Sequence, residues 1–398
     1  KKLSKDWIAS LYARGEPLTA TGDNLKFIGM PVSGLCTGQV YLGGDGGLWY
    51  WNLTANKDRK NNPKGVRYMQ PDVARSSKAQ GFALQVGGKV YSLDANGFKD
   101  VKFTNQYPMG RVDYADESCP LKAQLEAYTP FIPLNRDESS YPVIVMRYTV
   151  TNDSPESQDV AIAGWIDNST NGSKGKKVCV YRELDEIATV ECTSDFENAN
   201  SMALGVFTKE KPELVDLAKT NPGSDGIFDS ESGPVDGTRV ELNAKRPALA
   251  SMGRKFSLEP GESKTVSFAV SWRFPMLRYG VGFGTGPTST SPGRNHYATV
   301  WPTAAEASSQ VASRESELYS TSKKWIDTWY DSSLPYWFLE RAFIPINCMQ
   351  TQVAQRVYPR GNDTEIYNLE EGVRCCPGNC THVWNYAQGL ARIFPEIE

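Results

Sequence analysis

The residues with the most chemistry lie between Asn362 and Gln388, in the run Asn-Asp-Thr-Glu-Ile-Tyr-Asn-Leu-Glu-Glu-Gly-Val-Arg-Cys-Cys-Pro-Gly-Asn-Cys-Thr-His-Val-Trp-Asn-Tyr-Ala-Gln. The run holds the adjacent carboxylates Glu370 and Glu371, the cysteines Cys375, Cys376 and Cys380, the histidine His382 and the aromatics Trp384 and Tyr386. Thr381 or Asn379 has the side chain needed to cap a helix that follows. Three chemistries use these residue types. Thiolates and imidazole are zinc ligands, so the cysteines with His382 compose one candidate; yet adjacent cysteines rarely share an ion, and the usual two-residue spacer is missing. A Cys–His nucleophile pair is the second, although spacing alone does not establish reach between side chains. The third is a carboxylate, Glu370 or Glu371, held beside a sugar-stacking Trp384. A retaining glycosidase needs one carboxylate as nucleophile and another about 5–5.5 Å away as acid/base. Neighbouring side chains diverge, so Glu370 and Glu371 do not supply that pair by themselves. On residues alone an adjacent Glu pair reads as a solvated loop face, and aromatics just inside a helix read as core.

Two textures of chain must position this segment. Up to about Pro302 the pattern is β. Residues 142–151 are rich in β-branched side chains, the stretch from Asn152 is turn chemistry, and residues 159–167 return as a second strand. Residues 255–272 repeat this hairpin pattern around Pro260 and Gly261. Strands joined by short turns without interleaved helices predict a large antiparallel β-sandwich. Gly280 to Arg294 reads as a long surface loop. After Pro302 the spacing becomes helical: Ala304 to Tyr330, with Leu318, Trp325 and Trp329 in phase, then Tyr336 to about Val357 opened by Pro335, then Val383 to Ile393. The expected class is mainly β plus α. Residues 1–302 form the sandwich, 303–334 a linker helix, and 335–398 the start of a helical domain that so few helices cannot close.

The totals narrow the function. A chain of 398 residues is long for one core, so two folding units are expected. A net charge of −3 gives no basic field for nucleic acid. No apolar stretch approaches the roughly 20 residues that span a bilayer. The opening run KKLSKDWIASLYARGEP has two lysines but no apolar core, so it is not an intact signal peptide; a secreted or periplasmic protein whose leader has been removed is expected. Ten Trp and nineteen Tyr suit packing on the C–H faces of sugars, although filling a large β-core is the plainer use. The eight cysteines make no CxxC…CxxC framework, and Cys179 with Cys192 closes a hairpin-sized loop suited to a disulfide in an oxidising compartment. Asn-x-Ser/Thr triplets occur at Asn52, Asn152, Asn168, Asn171, Asn362 and Asn379.

Cys380-Thr-His-Val-Trp-Asn-Tyr-Ala-Gln388, followed by Ile393-Phe-Pro-Glu-Ile-Glu398, resembles glycoside hydrolase family 116, which contains the bile-acid (non-lysosomal) glucosylceramidase and bacterial β-glucosidases and β-xylosidases. Residues 28–38 with 42–51 resemble its amino-terminal Gly-rich block, and residues 325–337 resemble the segment leading into its helical barrel. The resemblance is specific in the last thirty residues and weaker between about 60 and 130 and from 195 to 245. It implies a β-sandwich joined to an (α/α)6 barrel, incomplete in this chain, and β-glycoside hydrolysis with retention.

By position, the resemblance makes Glu371, directly before Gly372, the nucleophile, with Glu370 ranked second. It places His382 at a sugar-binding position where mammalian-type members carry Asp. Thr381, Trp384 and Tyr386 join it as substrate-binding residues. Ser33 and Cys36 depart from the small residues usual in the Gly-rich block. The family's acid/base Asp has no counterpart here and is expected beyond Glu398 or on a second chain, so this chain alone is expected to be inactive. No cofactor is implied; calcium is conceivable in such enzymes, but no acidic run specifies a site. The expected partners are a glycoside substrate and the carboxy-terminal barrel portion, with neither nucleic acid nor a membrane span. The alternative from another class is a non-catalytic carbohydrate-binding or structural subunit.

Overall fold

In the strand Val143–Asn152, the first four residues, Val143, Ile144, Val145 and Met146, are all fully buried, and only from Arg147 onward does burial alternate. A strand covered on both faces is a continuous apolar run, whereas one with an open face alternates. The change of pattern within one strand shows that other elements cover part of its outer face. The computed structural model of the protein describes residues 3–53, 78–168, 175–195, 199–219, 223–224, 226–229, 233–243, 247–277, 293–343, 346–351, 354–359, 361, 363–369 and 389–397.

Two antiparallel sheets face each other. The larger has ten strands, with Val143–Asn152 and Ser263–Arg273 at its centre, and the smaller has five, with Gln158–Asp167 at its centre. Phe82 of the smaller sheet meets Tyr148 and Phe268 of the larger at ring-centroid distances of 5.0 and 5.1 Å. The aromatics here are core, as composition favoured. Cys179 and Cys192 are directly opposed on adjacent strands of the larger sheet and form a disulfide.

The two turns that read as hairpins do not make hairpins. Val143–Asn152 pairs with Ser263–Arg273, and Gln158–Asp167 pairs with Leu249–Leu258, so each turn carries the chain from one sheet to the other. Turn residues set a reversal, but not whether the returning strand bonds its predecessor or joins the facing sheet. The two crossovers are stitched together at Asn152. Its amide N–H donates to Glu262 O at 3.0 Å, its carbonyl accepts from Gly261 N at 2.9 Å, and its Nδ2 donates to Glu156 O at 2.7 Å and Leu258 O at 3.0 Å. Asn152 is therefore fully buried, and Asn168 is nearly so, which hides both of these triplet amides from solvent.

The helical stretch expected from Ala304 to Tyr330 is two helices, Ala304–Ser313 and Glu315–Tyr330. They cover the outer face of the larger sheet. Ser271 Oγ donates to Ala304 O at 2.9 Å, and Ser322 Oγ accepts from Phe131 N at 3.0 Å. Thr303 caps the first helix by accepting from Glu306 N, while the carboxylate of Glu191 accepts from Ala304 N and Ala305 N.

The next helix is shorter than the spacing predicted. It spans Tyr336–Phe343, a 3-10 turn covers Ile346–Gln350, and Ala354–Pro359 is a strand where helix was expected up to about Val357. Proline at 345 has no N–H with which to continue a helix. Ala354–Pro359 pairs with Ile366–Leu369 and with Gly293–Asn295 in a sheet of four strands, so residues before 302 and after 335 share one sheet. Arg294, expected in a loop, lies in this sheet; residues 278–292 lie outside the described residues. A further element that the sequence pattern did not reveal is the helix Lys5–Tyr12, capped by Ser4 Oγ accepting from Trp7 N at 3.1 Å.

Candidate active-site frame

Glu370, Glu371, Thr381, His382, Trp384 and Tyr386 lie outside the described residues, as do Cys375, Cys376 and Cys380. The structure describes the chain on both sides of them. The strand Ile366–Leu369 leads in, ending next to Glu370, and the helix Leu390–Ile393 leads out.

The leading strand is held by a buried cation. Arg356, whose side chain is 5% exposed, sits opposite Tyr367 in the strand pair. Its Nε donates to Glu365 Oε1 at 2.6 Å, its Nη2 donates to Glu365 Oε2 at 3.3 Å, and its Nη1 donates to Asp137 Oδ1. A planar guanidinium matches two carboxylate oxygens at once, and pairing is what makes burial of the charge tolerable. His296 completes the row: its Nε2 is 3.5 Å from Glu365 Oε2, and its ring stacks on Tyr358. Tyr367 lies beneath the guanidinium groups of Arg136 and Arg356, at 5.5 and 5.4 Å from its ring centroid. Burial pushes the Glu365 carboxyl upward, but the hydrogen bonds from Arg356 and the nearby positive charge outweigh it and hold the group below its ordinary value. Burial, and then the charge of Arg356, holds His296 below its ordinary value.

The outgoing chain is anchored to the same place. Leu134 N donates to Ile393 O at 2.8 Å, Arg136 Nη1 donates to Glu396 O at 3.1 Å, and the Phe394 ring meets Phe131 at 5.5 Å. Residues 131–140 thus receive both flanks: Asp137 takes Arg356 on the incoming side, and Leu134 and Arg136 take the outgoing side. Internal bonds brace this loop. Ser139 Oγ accepts from Ile132 N at 2.9 Å, and Asn135 Oδ1 accepts from Glu138 N at 3.0 Å.

The Gly-rich block reaches the same loop. Leu35 N donates to Ser139 O at 2.7 Å, and Cys36 N donates to Met349 O at 3.3 Å. A Cβ on Gly34 would lie 2.2 Å from Tyr141 O, so only glycine permits this approach. Ser33, one of the two departures from the family pattern, sets its hydroxyl 2.9 Å from Gly38 O and 2.7 Å from Gln350 O, joining the block to the 3-10 turn. Cys36, the other, takes a left-handed backbone with φ 60°. Burial pushes the thiols of Cys36 and Cys348 up to about 12, so both are protonated at neutral pH and poor nucleophiles.

Sequence reasoning missed the Asp137–Arg356–Glu365–His296 row. The available signal was slight: Gln355 and Arg356 stand in an otherwise apolar run, and both are buried. Their partners lie on segments far apart in the chain.

Among the curated proteins, none matches this chain. Of solved structures, a bacterial glucoamylase complexed with acarbose aligns at 9% identity and TM-score 0.44, covering 84% of this chain and 42% of that one. The GH36 α-galactosidase AgaB from Geobacillus stearothermophilus aligns at 10% identity and TM-score 0.30, covering 65% of this chain and 41% of that one. The chain spans less than half the length of either protein, and likenesses this distant decide nothing about its chemistry. The family comparison is of another order. Residues 29–322 match the family described as beta-glucosidase 2, glycosyl-hydrolase family 116 N-term. That match takes in the Gly-rich block, both sheets except the edge strand Thr19–Thr21, the helix Ala304–Ser313 and the start of the helix Glu315–Tyr330, and by it the chain belongs to glycosyl-hydrolase family 116.

Proposed function

We propose that this chain is the sandwich and barrel-opening part of a retaining β-glycosidase, with Glu371 as nucleophile. Glu371 attacks the anomeric carbon while an acid protonates the departing oxygen; water then releases the sugar with the same configuration. The acid/base comes from beyond Glu398 or from another chain, and the helix Tyr336–Phe343 opens the (α/α)6 barrel that carries it. His382 and Thr381 bond sugar hydroxyls, and Trp384 and Tyr386 line the pocket. The substrate is a β-linked glycoside, and the double displacement itself calls for no cofactor. The Cys179–Cys192 disulfide supports a secreted or periplasmic location. Among the described residues no helix is long and apolar enough to cross a membrane.

Family membership over residues 29–322 is the observation that carries this proposal. Geometry adds that both flanks of the 370–388 segment are anchored to one braced loop, as the placement of a nucleophile requires. The test is Glu371→Gln in the complete enzyme, with aryl β-glucosides as substrates. Turnover falls by about 10⁴-fold or more, the scale of losing a nucleophile that acts as part of a unit, and a 2-deoxy-2-fluoroglycoside labels the peptide containing Glu371. Activity that survives Glu371→Gln but is lost in Glu370→Gln moves the nucleophile by one position.

A further inference from the structure

A cavity of about 410 Å³ opens between residues 18–31, the larger sheet and the helix Tyr336–Phe343. That volume lies within the roughly 300–1,000 Å³ typical of small-molecule sites. Phe27, Phe103 and Phe343 supply aromatic wall, with Phe27 43% exposed and the other two buried. Gly29 lies between this wall and Trp49, where a Cβ would meet the indole at 2.8 Å. The polar lining is Asn24, Asn105, Asn347, Glu340 and the hydroxyl-bearing Thr19 and Tyr107, the Tyr107 hydroxyl being buried without a hydrogen-bond partner among the described residues. Glu340 is 9% exposed; its Oε1 accepts from Leu18 N at 2.9 Å, and its second oxygen has no hydrogen bond among the described residues. No lysine, arginine or histidine lines the cavity, and the nearby Lys26, 5.3 Å from the Phe27 ring centroid, is paired with Asp23, so the lining does not favour an anion.

This lining specifies a ligand. A carboxamide both donates and accepts, as a hydroxyl does, and three of them around one cavity match a ring that carries several hydroxyls. The second carboxylate oxygen of Glu340 is not sealed from solvent and is free to accept from a hydroxyl donor. Aromatic faces take the C–H surface of the same ring. We propose that this cavity is a second carbohydrate site that binds one neutral pyranose unit, its ring against Phe27 and its hydroxyls on the Asn side chains and Glu340. None of the lining residues belongs to the 365–396 frame, so the proposal stands whether or not Glu371 is the nucleophile.

The experiment titrates the full chain with glucose and with xylose, read by saturation-transfer NMR and calorimetry, in the wild type, Phe27→Ala, Asn105→Ala and Glu371→Gln. Sugar binding weakens about tenfold in Phe27→Ala and in Asn105→Ala, the size of one lost ring contact or hydrogen bond, and persists in Glu371→Gln. Circular dichroism confirms that the variants fold. Binding unchanged by Phe27→Ala and Asn105→Ala, or no binding by the folded wild type, overturns the proposal. So does tetramethylammonium binding in preference to either sugar, because the aromatic wall and Glu340 would then form a cation site.

Discussion

Arg356 Nε lies 2.6 Å from Glu365 Oε1, nine residues further along, and this bond closes the strand pair that leads the chain toward Glu371. The same guanidinium reaches Asp137 in the loop that also holds Ile393 and Glu396. One cation thereby links the incoming strand to the anchor of the outgoing helix.

Replacing Arg356 by Met leaves Glu365, whose side chain is 24% exposed, with only His296 opposite it. Breaking a fully buried pair costs about 3–5 kcal/mol; partial access to water lowers the expected loss here to about 2–3 kcal/mol. Asp137 is 66% exposed, so Asp137→Asn costs under about 1 kcal/mol. Urea denaturation of the two variants checks the order. If Glu371 is the nucleophile, as proposed, Arg356→Met in the complete enzyme lowers kcat more than it raises KM, because the strand leads directly to that residue.

Acid weakens this frame. His296 titrates below its ordinary 6.5, since burial and then Arg356 disfavour its charged form, against the pull of Glu365 and Asp137; Arg136 adds to the positive side. As pH falls through about 6.5, the unfolded chain takes up the proton first, so stability is lost from there downward. Glu365 titrates below its ordinary 4.5 because its hydrogen bonds and nearby positive charge outweigh burial. Its contribution is complete above that value and disappears as pH falls through the folded one. Both groups act with the same sign. From about pH 7 to about pH 5 the contribution of His296 is therefore lost, so over this interval the melting temperature changes less favourably in the wild type than in His296→Gln. The same change in melting temperature in the wild type and in His296→Gln over this interval contradicts the assignment.

Cys179 and Cys192 are 13 residues apart, and both are buried. A bridge closing a loop of this size contributes about 2–3 kcal/mol. The double variant Cys179→Ala/Cys192→Ala melts lower than the wild type. A reducing agent lowers the melting point of the wild type by more than that of the variant.

Trp272 is fully buried, and its Nε1 donates to Thr37 O at 2.8 Å, tying the central strand to the Gly-rich block. Trp272→Phe keeps most of the ring but leaves the carbonyl without that donor, costing about 1–3 kcal/mol. Trp272→Ala also opens a cavity and costs about 3–5 kcal/mol. Equal losses in the two variants would show that the hydrogen bond to Thr37, and not packing, decides stability at this position.

How much was legible in the sequence follows from the range of each signal. Val143 to Asn152 reads as a strand because β-branched residues and their periodicity are local properties, and the structure starts and ends that strand one residue later than the pattern. Ala304 to Tyr330 reads as helix for the same reason, although the break at Arg314 does not show. The family was legible in short runs of specific residues, because a site confines several side-chain types to a few adjacent positions. What only the tertiary structure decided is partnership: that Asn152 turns the chain into the facing sheet, that Ala354–Pro359 joins strands from before residue 302, and that Arg356 meets Asp137. Local periodicity records which face of an element is covered. It carries no record of which distant segment covers it, because that choice is made by the packing and charge pairing of segments brought together only when the chain folds.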